Sequence, residues 1–180
     1  MSKKEKTAIR STFRTKMTAA LNESIKILCF HEEKIFSQIL TKGLFPVADA
    51  MNINSIVIYH QIKIDEEKHY KQMYRWDRDE GGITNRSLIH LPNNKAVTGW
   101  IKILEQNIFI NRRISEMSED EAAFLNPFGV KSILMIPVFA HGEFWGCVFF
   151  QDHKKERRFD ENSIDLIQSA AYICAKTITL

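Results

Sequence analysis

Three cysteines, Cys29, Cys147 and Cys174, and six histidines are the side chains of this chain best suited to metal, redox or nucleophilic chemistry. Their spacing supports none of these. No C-x-x-C occurs, and no Cys/His cluster has zinc-ligand spacing. Cys147 and Cys174 lie inside apolar runs, where cysteine acts as a small apolar filler. His31 opens HEEK, which is not HExxH. His60, His69, His90, His141 and His153 are scattered over expected strands and loops, and their spacing makes no Ser-His-Asp set. Gly81-Gly82 reads as a turn and not as a phosphate-cradling G-x-G-x-x-G loop. The expectation is a chain with no catalytic residue and no metal site. Wide, odd-numbered cysteine spacing fits a reducing cytoplasm.

Apolar spacing defines the elements that carry these residues. Between residues 5 and 28, Ile9, Phe13, Met17, Ala20, Leu21, Ile25 and Leu28 recur at intervals of three and four, which marks an amphipathic helix. A second helical stretch covers 31–51, with a kink or break expected at Gly43 and Pro46. SIVIYHQI from Ser55 and KHYKQMYRWD form a hairpin about a polar turn at Asp65–Glu67. DRDEGGITNR is a charged loop. A short helix is expected over 95–105 and a short strand over 107–111. Ser118 with Glu121 three residues on is a capping box, opening a helix that stops near Pro127-Phe128-Gly129. A second hairpin over 130–140 and 143–152 turns at His141-Gly142. A long helix runs from Asp160, its expected N-cap, to Leu180. Its two apolar stripes, Ile164/Ile167/Ala171/Cys174/Ile178 and Leu166/Ala170/Ile173/Leu180, imply a second packing partner.

At 180 residues one domain is expected, and 44% hydrophobic with 26% charged residues is the composition of a soluble protein. No apolar run reaches the ~18 residues of a membrane span, so no direct membrane insertion is expected. The N-terminal basic residues have no apolar stretch behind them and make no secretory signal. The net charge of +3 is spread among interspersed signs, which argues against a nucleic-acid partner. The basic run His153–Arg158 is expected to be a solvated loop.

The hairpin GVKSILMIPVFAHGEFWGCVFFQD, residues 129–152, resembles the core of a GAF domain. Further pieces follow the same order: YRW at 74–76, Trp100, the segment ISEMSEDEAAFLNPFGVKS, and RRFDENSIDLI at 157–167. The resemblance is to the GAF modules of bacterial sensor histidine kinases and related signalling proteins. It implies an α+β fold over 31–180, with residues 1–30 a linker or dimerisation helix and 160–180 a signalling helix. The central antiparallel sheet would have five to six strands. The N- and C-terminal helices would pack on one face, and a short-helix and loop lid would cover a pocket on the other. Pro137 belongs at a bulge or edge, Gly146 at a close approach, and Gly129 at a left-handed helix stop.

In such a domain the pocket lining would be Tyr74, Trp76, Trp100, Phe124, Phe128 and Trp145, with Arg75, Asn111 and Ser132 as polar contacts, although any one such aromatic is more often core than ligand contact. The implied function is a non-catalytic sensory module, the sensor region of a histidine kinase. It would bind an unidentified small molecule non-covalently and relay its state to a C-terminal output domain, a histidine kinase in preference to a diguanylate cyclase. The relay would run through a homodimer whose helices meet at Ile9, Phe13, Met17, Leu166, Ala170 and Ile173. The alternative is a ligand-free dimerisation module or stand-alone protein. A remote alternative is the methionine sulfoxide reductase found on this fold, which needs grouped cysteines that are missing here. The cyclic-nucleotide pattern N-K-x(n)-F-x-x-x-D-E is broken by Ser163 and Ile164, and no cysteine stands where a tetrapyrrole would attach. His31 also lacks the proline of a phospho-accepting kinase box.

Overall fold

β-Branched, aromatic and other apolar residues are concentrated in Ser55–Ile64 (β1) and in the far half of Glu67–Asp77 (β2), and they run almost unbroken through Ser132–Ala140 (β4) and Glu143–Asp152 (β5). With Ile110–Arg113 (β3) they build one antiparallel sheet of five strands in the order β2-β1-β5-β4-β3. The computed structural model describes residues 3–29, 36–78, 90–161 and 164–179. They fall into two units: a sheet unit, residues 53–159, and a helical unit, residues 1–52 with 160–180.

Both long hairpins turn where the sequence places them. Asp65 and Glu66 have φ of 49° and 65°, and His141 and Gly142 have φ of 54° and 83°. Two consecutive positive φ values match the right-handed strand twist, which is why such short turns close hairpins. Each hairpin also carries a bulge. Ile58 pairs with Tyr74 but Tyr59 with Gln72, leaving Met73 as the extra residue of β2. Val138 pairs with Gly146 but Phe139 with Phe144, leaving Trp145 extra in β5. A bulge shifts the in/out alternation of every residue beyond it.

The short helices pack on the sheet face that carries Val57, Tyr59, Ile133, Met135, Cys147 and Phe149. Lys95–Leu104 (α3) starts at Asn94, whose side chain accepts a hydrogen bond from Val97 N at 3.0 Å, and it buries Val97, Trp100, Ile101 and Leu104. Glu119–Leu125 (α4) opens with the expected capping box of Ser118 and Glu121. A 3-10 turn over Asn126–Phe128 then ends at Gly129, left-handed at φ 69°. The strand expected at 107–111 lies at Ile110–Arg113, because Asn107, with φ 60°, is still turning away from α3. Pro137 sits two residues beyond the last pairing of β4 with β3, where no neighbour needs its missing N–H.

The helical unit comprises Lys3–Cys29, Phe36–Met51 and Ile164–Thr179, here α1, α2 and α5. Of the kink or break expected in the second helix, the break does not occur: α2 runs through Gly43 and Pro46. Gly43 is needed for packing. A Cβ there would overlap the side chain of Leu28, so the missing side chain lets α1 lie close against α2. Arg14 of α1 makes a two-point ion pair with Asp165 of α5 at 3.0 and 3.2 Å. His31, the loop glycines Gly81-Gly82 and Leu180 lie outside the described residues.

Candidate ligand site

Trp100 is the centre of the covered sheet face. Its ring meets Phe124 edge-on at 5.6 Å and Phe149 at 6.5 Å, and Phe124 meets Phe128 at 5.9 Å. One carboxylate ties this cluster to three elements. Trp100 Nε1 donates to Glu121 Oε1 at 2.5 Å, and Arg112 Nη1 donates to both Glu121 oxygens at 3.2 and 3.3 Å. Ser118 N and Oγ donate to Glu121 Oε2 at 2.9 and 3.1 Å. Burial alone would push the Glu121 carboxyl up. The hydrogen bonds from Ser118 and Trp100, with the Arg112 charge, outweigh it and hold the group below the usual carboxylate range.

Under Phe124 and Phe128 remains a cavity of about 20 Å³, lined also by Tyr59, Gln72, Arg75 and Gln151. That is room for roughly one water. Gln72 Oε1, which is buried without a hydrogen-bond partner among the described residues, belongs to this lining. Arg75 is already engaged: its Nε and Nη2 donate to Asp77 Oδ2 and Oδ1 at 2.6 and 2.9 Å, and both residues are buried.

A larger cavity, about 250 Å³, opens beside α3. Its walls are the first residues of β2, the outer side of α3 and the segment Leu91–Asn93. That segment runs along the free edge of β2, with Leu91 N donating to Tyr70 O at 2.8 Å and His90 bridged to Lys71. Tyr70, Leu91, Val97 and Ile101 form the apolar floor, each less than a tenth exposed.

The residues singled out in the sequence divide among several places. Trp100, Phe124 and Phe128 are together, and Arg75 is on their side of the sheet. Tyr74 and Trp76 are not: they pair with Ile58 and Ile56, which alternate with Val57 and Tyr59 and so face the other way. They do share a face, but the bulge at Met73 puts them opposite Tyr70 and Gln72. Trp145 is the bulged residue of β5, and its ring stacks on His60 at 4.4 Å. Asn111 and Ser132 also lie across the sheet from Trp100, beside Ile110 and Ile133 of the core cluster. Asn111 Nδ2 donates to Phe159 O and Asn111 Oδ1 accepts from Phe159 N, at 2.9 and 3.0 Å. Ser132 Oγ donates to Lys155 O at 2.8 Å and accepts from Arg157 N at 2.6 Å. Both fasten the 153–159 segment to the sheet.

The residues around the larger cavity were not singled out in the sequence. Val97 and Ile101, four apart on α3, carried a signal for a shared buried face, but nothing marked the room beside them. Of the residues expected between dimer helices, Met17 and Ala170 are buried within the protomer. Ile9 is exposed, and Phe13, Leu166 and Ile173 are half-buried. Among the described residues no group of three or more His, Cys, Asp or Glu could hold a metal ion, and no helix is long and apolar enough to cross a membrane.

Comparison with known proteins adds three findings. A family model described as "GAF domain" matches residues 37–178. Over 136 residues the chain is 28% identical to the methanogenesis regulatory histidine kinase FilI of Methanothrix harundinacea; the match covers 74% of this chain and 15% of that protein. Among solved structures, the phycoerythrobilin-bound GAF domain of a cyanobacterial phytochrome superposes with a TM-score of 0.68 at 14% identity, covering 91% of this chain and 95% of that one. The GAF domain of a phosphoenolpyruvate-protein phosphotransferase from Coxiella burnetii gives 0.66 at 15% identity, covering 92% and 94%. At such identities these two speak for the fold alone.

Proposed function

The chain belongs to the GAF domain family, and from that premise we propose that it is the sensory module of a signalling protein, acting by binding and not by turnover. The observation that carries the reading is the match over 37–178 together with the roughly 250 Å³ cavity beside α3. Small-molecule sites are concave, mostly apolar and carry a few polar groups, and this cavity has that character. A ligand there touches α3, and α3 is tied through Trp100 to α4 and β3. Occupancy therefore biases one arrangement of these helices over another, and the sensed state is a population shift. In this reading α3, α4 and the 112–129 segment act as the lid over the sheet face.

The output is a C-terminal domain, and the relative that is a regulatory histidine kinase supports an output of kinase type. Residues 1–30 act as a linker or dimerisation helix and 31–180 as the sensing domain, with the signal leaving through 160–180. The carrier is a homodimer. Because Met17 and Ala170 are buried in the protomer, its contacts fall to Ile9, Phe13, Leu166 and Ile173. The test pairs ligand-observed NMR of a metabolite library with light scattering. Expected are a saturable binder whose contact perturbs Trp100 fluorescence, and a dimer that Ile9→Asp with Ile173→Asp dissociates. A library with no binder, or a binder indifferent to α3 substitutions, overturns sensing at this face; a monomer at ~100 μM overturns the relay.

A second reading has its own observation. The aromatic cluster around Trp100 is packed so closely that about 20 Å³ remains, which favours a regulatory module that dimerises without a ligand. The same library distinguishes the two.

A further inference from the structure

The groups around the larger cavity differ in what they have left to offer a ligand. Strand alternation selects the side chains that face it. Tyr70 lies in the core cluster with Trp100, so Lys68 faces the same side, while Glu67 and His69 are one residue out of phase and face away. The side chains at the rim are therefore Lys68 from β2, Asn93 from the edge segment, and Thr98, Lys102 and Glu105 from α3.

Several of the acceptors around it are already engaged. Glu105 Oε1 holds Lys68 Nζ at 2.6 Å, an ion pair that straps β2 to α3 across the cavity. Asn93 Oδ1 accepts from Thr98 Oγ1 at 3.3 Å, and the Pro92 carbonyl accepts from Asn94 N at 3.0 Å. The Tyr70 carbonyl accepts from Leu91 N, and the Tyr70 hydroxyl donates to Gln61 at 3.3 Å. Among the described residues two donors at the rim make no hydrogen bond: the Lys102 ammonium and the Asn93 amide NH₂. With Lys68 and Glu105 paired to each other, Lys102 is the charged donor that α3 presents to the rim.

We propose that this cavity takes a small carboxylate with a flat or branched apolar body, the body on Tyr70, Leu91, Val97 and Ile101 and the carboxylate between Lys102 and Asn93. This deepens the sensory reading above and rests on it. A charged donor paired with a carboxylate is roughly twice as strong as a neutral hydrogen bond, so the rim selects the acid over its neutral and cationic analogues. A cationic ligand would meet Lys102, and the Glu105 carboxylate that could balance it already holds Lys68. A volume near 250 Å³ lies just under the ~300–1,000 Å³ of typical ligand pockets, which suits a small ligand such as phenylacetate.

The experiment titrates the whole chain with three acids, benzoate, phenylacetate and hexanoate, and with phenylacetamide and phenethylamine as neutral and cationic counterparts of phenylacetate. Saturation-transfer NMR reads binding. At least one acid should saturate with a Kd of about 1 mM or tighter, and the amine should bind about tenfold more weakly or not at all. Lys102→Gln should weaken the acid about tenfold and leave phenylacetamide unchanged. Asn93→Asp, which puts a like charge where the carboxylate lies, should abolish acid binding; the helix cap at Asn94 is untouched. If phenethylamine binds as well as phenylacetate, the ligand class is wrong while the cavity stands as a site. If an acid binds but neither variant changes its affinity, it sits elsewhere and the assignment fails. If none of the five probes binds while a library compound binds near α3, only the ligand class falls; if nothing binds at all, the sensory reading falls with it.

Discussion

Replacing Glu121 by glutamine keeps the shape of the side chain and removes its charge. The carboxylate accepts hydrogen bonds from Trp100, Arg112 and Ser118, and its side chain is 11% exposed. Hydrogen bonds to a charged group contribute about 1.5–3 kcal/mol net, neutral ones about 0.5–1.5. The substitution therefore costs about 1 kcal/mol at the Trp100 indole. It costs a similar amount where the new NH₂ faces either Arg112 or the Ser118 amide, both donors. The Arg112 side chain is 37% exposed, so water screens its share and a value near the low end applies. The sum is about 2 kcal/mol, or roughly 4–8 °C in Tm for a chain of this size. Glu121→Ala also strands the buried indole N–H and should cost about 1–3 kcal/mol more. Urea denaturation gives the free energies, and tryptophan fluorescence reports the loosened α3–α4 contact. The decisive measurement is the cycle with Trp100→Phe. If the indole bond is as described, the two changes couple by at least about 0.5 kcal/mol. A Gln variant within about 0.5 kcal/mol of the parent, or strict additivity in the cycle, would refute the idea that this carboxylate holds the two helices together.

The same group sets an acid limb. The Glu121 carboxyl titrates below its ordinary 4.5 in the folded protein, so its stabilisation is complete above that pH and is lost as pH falls through the lower folded value. Urea midpoints should drop on acidification below about pH 4.5, and Glu121→Gln should flatten that drop; an unchanged limb speaks against it. Asn111→Ala removes two buried hydrogen bonds to Phe159 and should cost about 2 kcal/mol. Hydrogen exchange should then rise over 153–159, whereas intact protection there contradicts the fastening role. Gly146→Ala would drive a Cβ into the backbone of β1 at Tyr59, with φ already at 156°, so a loss of about 1–3 kcal/mol or failure to fold is expected. Gly99→Ala, in mid-α3 with nothing within 4 Å of the new carbon, should instead stabilise by about 0.5–1 kcal/mol. Melting curves of the pair check both signs.

Most of the sheet was legible because local rules decide it. The turn at His141-Gly142, the left-handed Gly129 and the capping box of Ser118 with Glu121 are each set by neighbours within four residues. Gly146 was readable as a close approach because a missing side chain in an apolar strand has few other uses. Pro46 misled because propensity is a weak prior: α2 is held by burial of Leu40, Leu44 and Val47, and the contact of Gly43 with Leu28 gains from the residue that looked like a breaker.

The site was less legible, and the reason is register. Tyr74 and Trp76 are two apart and share a face, as alternation requires. Which face that is depends on Met73, whose extra place in β2 cannot be seen in a strand read alone, because a bulge is a property of the pair. Trp145 was hidden in the same way by the β4–β5 bulge. Ser132 and Asn111 were singled out as polar contacts of a pocket, and the partners they have here are backbone groups of a segment more than twenty residues away in sequence. A buried polar side chain declares that it has a partner and leaves open whether that partner is a ligand or the chain itself. The cavity beside α3 carries the complementary lesson. Its floor of Tyr70, Leu91, Val97 and Ile101 is ordinary core by residue type, and it becomes a candidate site only because the edge segment at Leu91–Asn93 stands off α3 far enough to leave room. The Lys102 ammonium and the Asn93 NH₂, donors with no partner among the described residues, distinguish that room from a packing defect, and the acid, amide and amine of one shape are the means of measuring the difference.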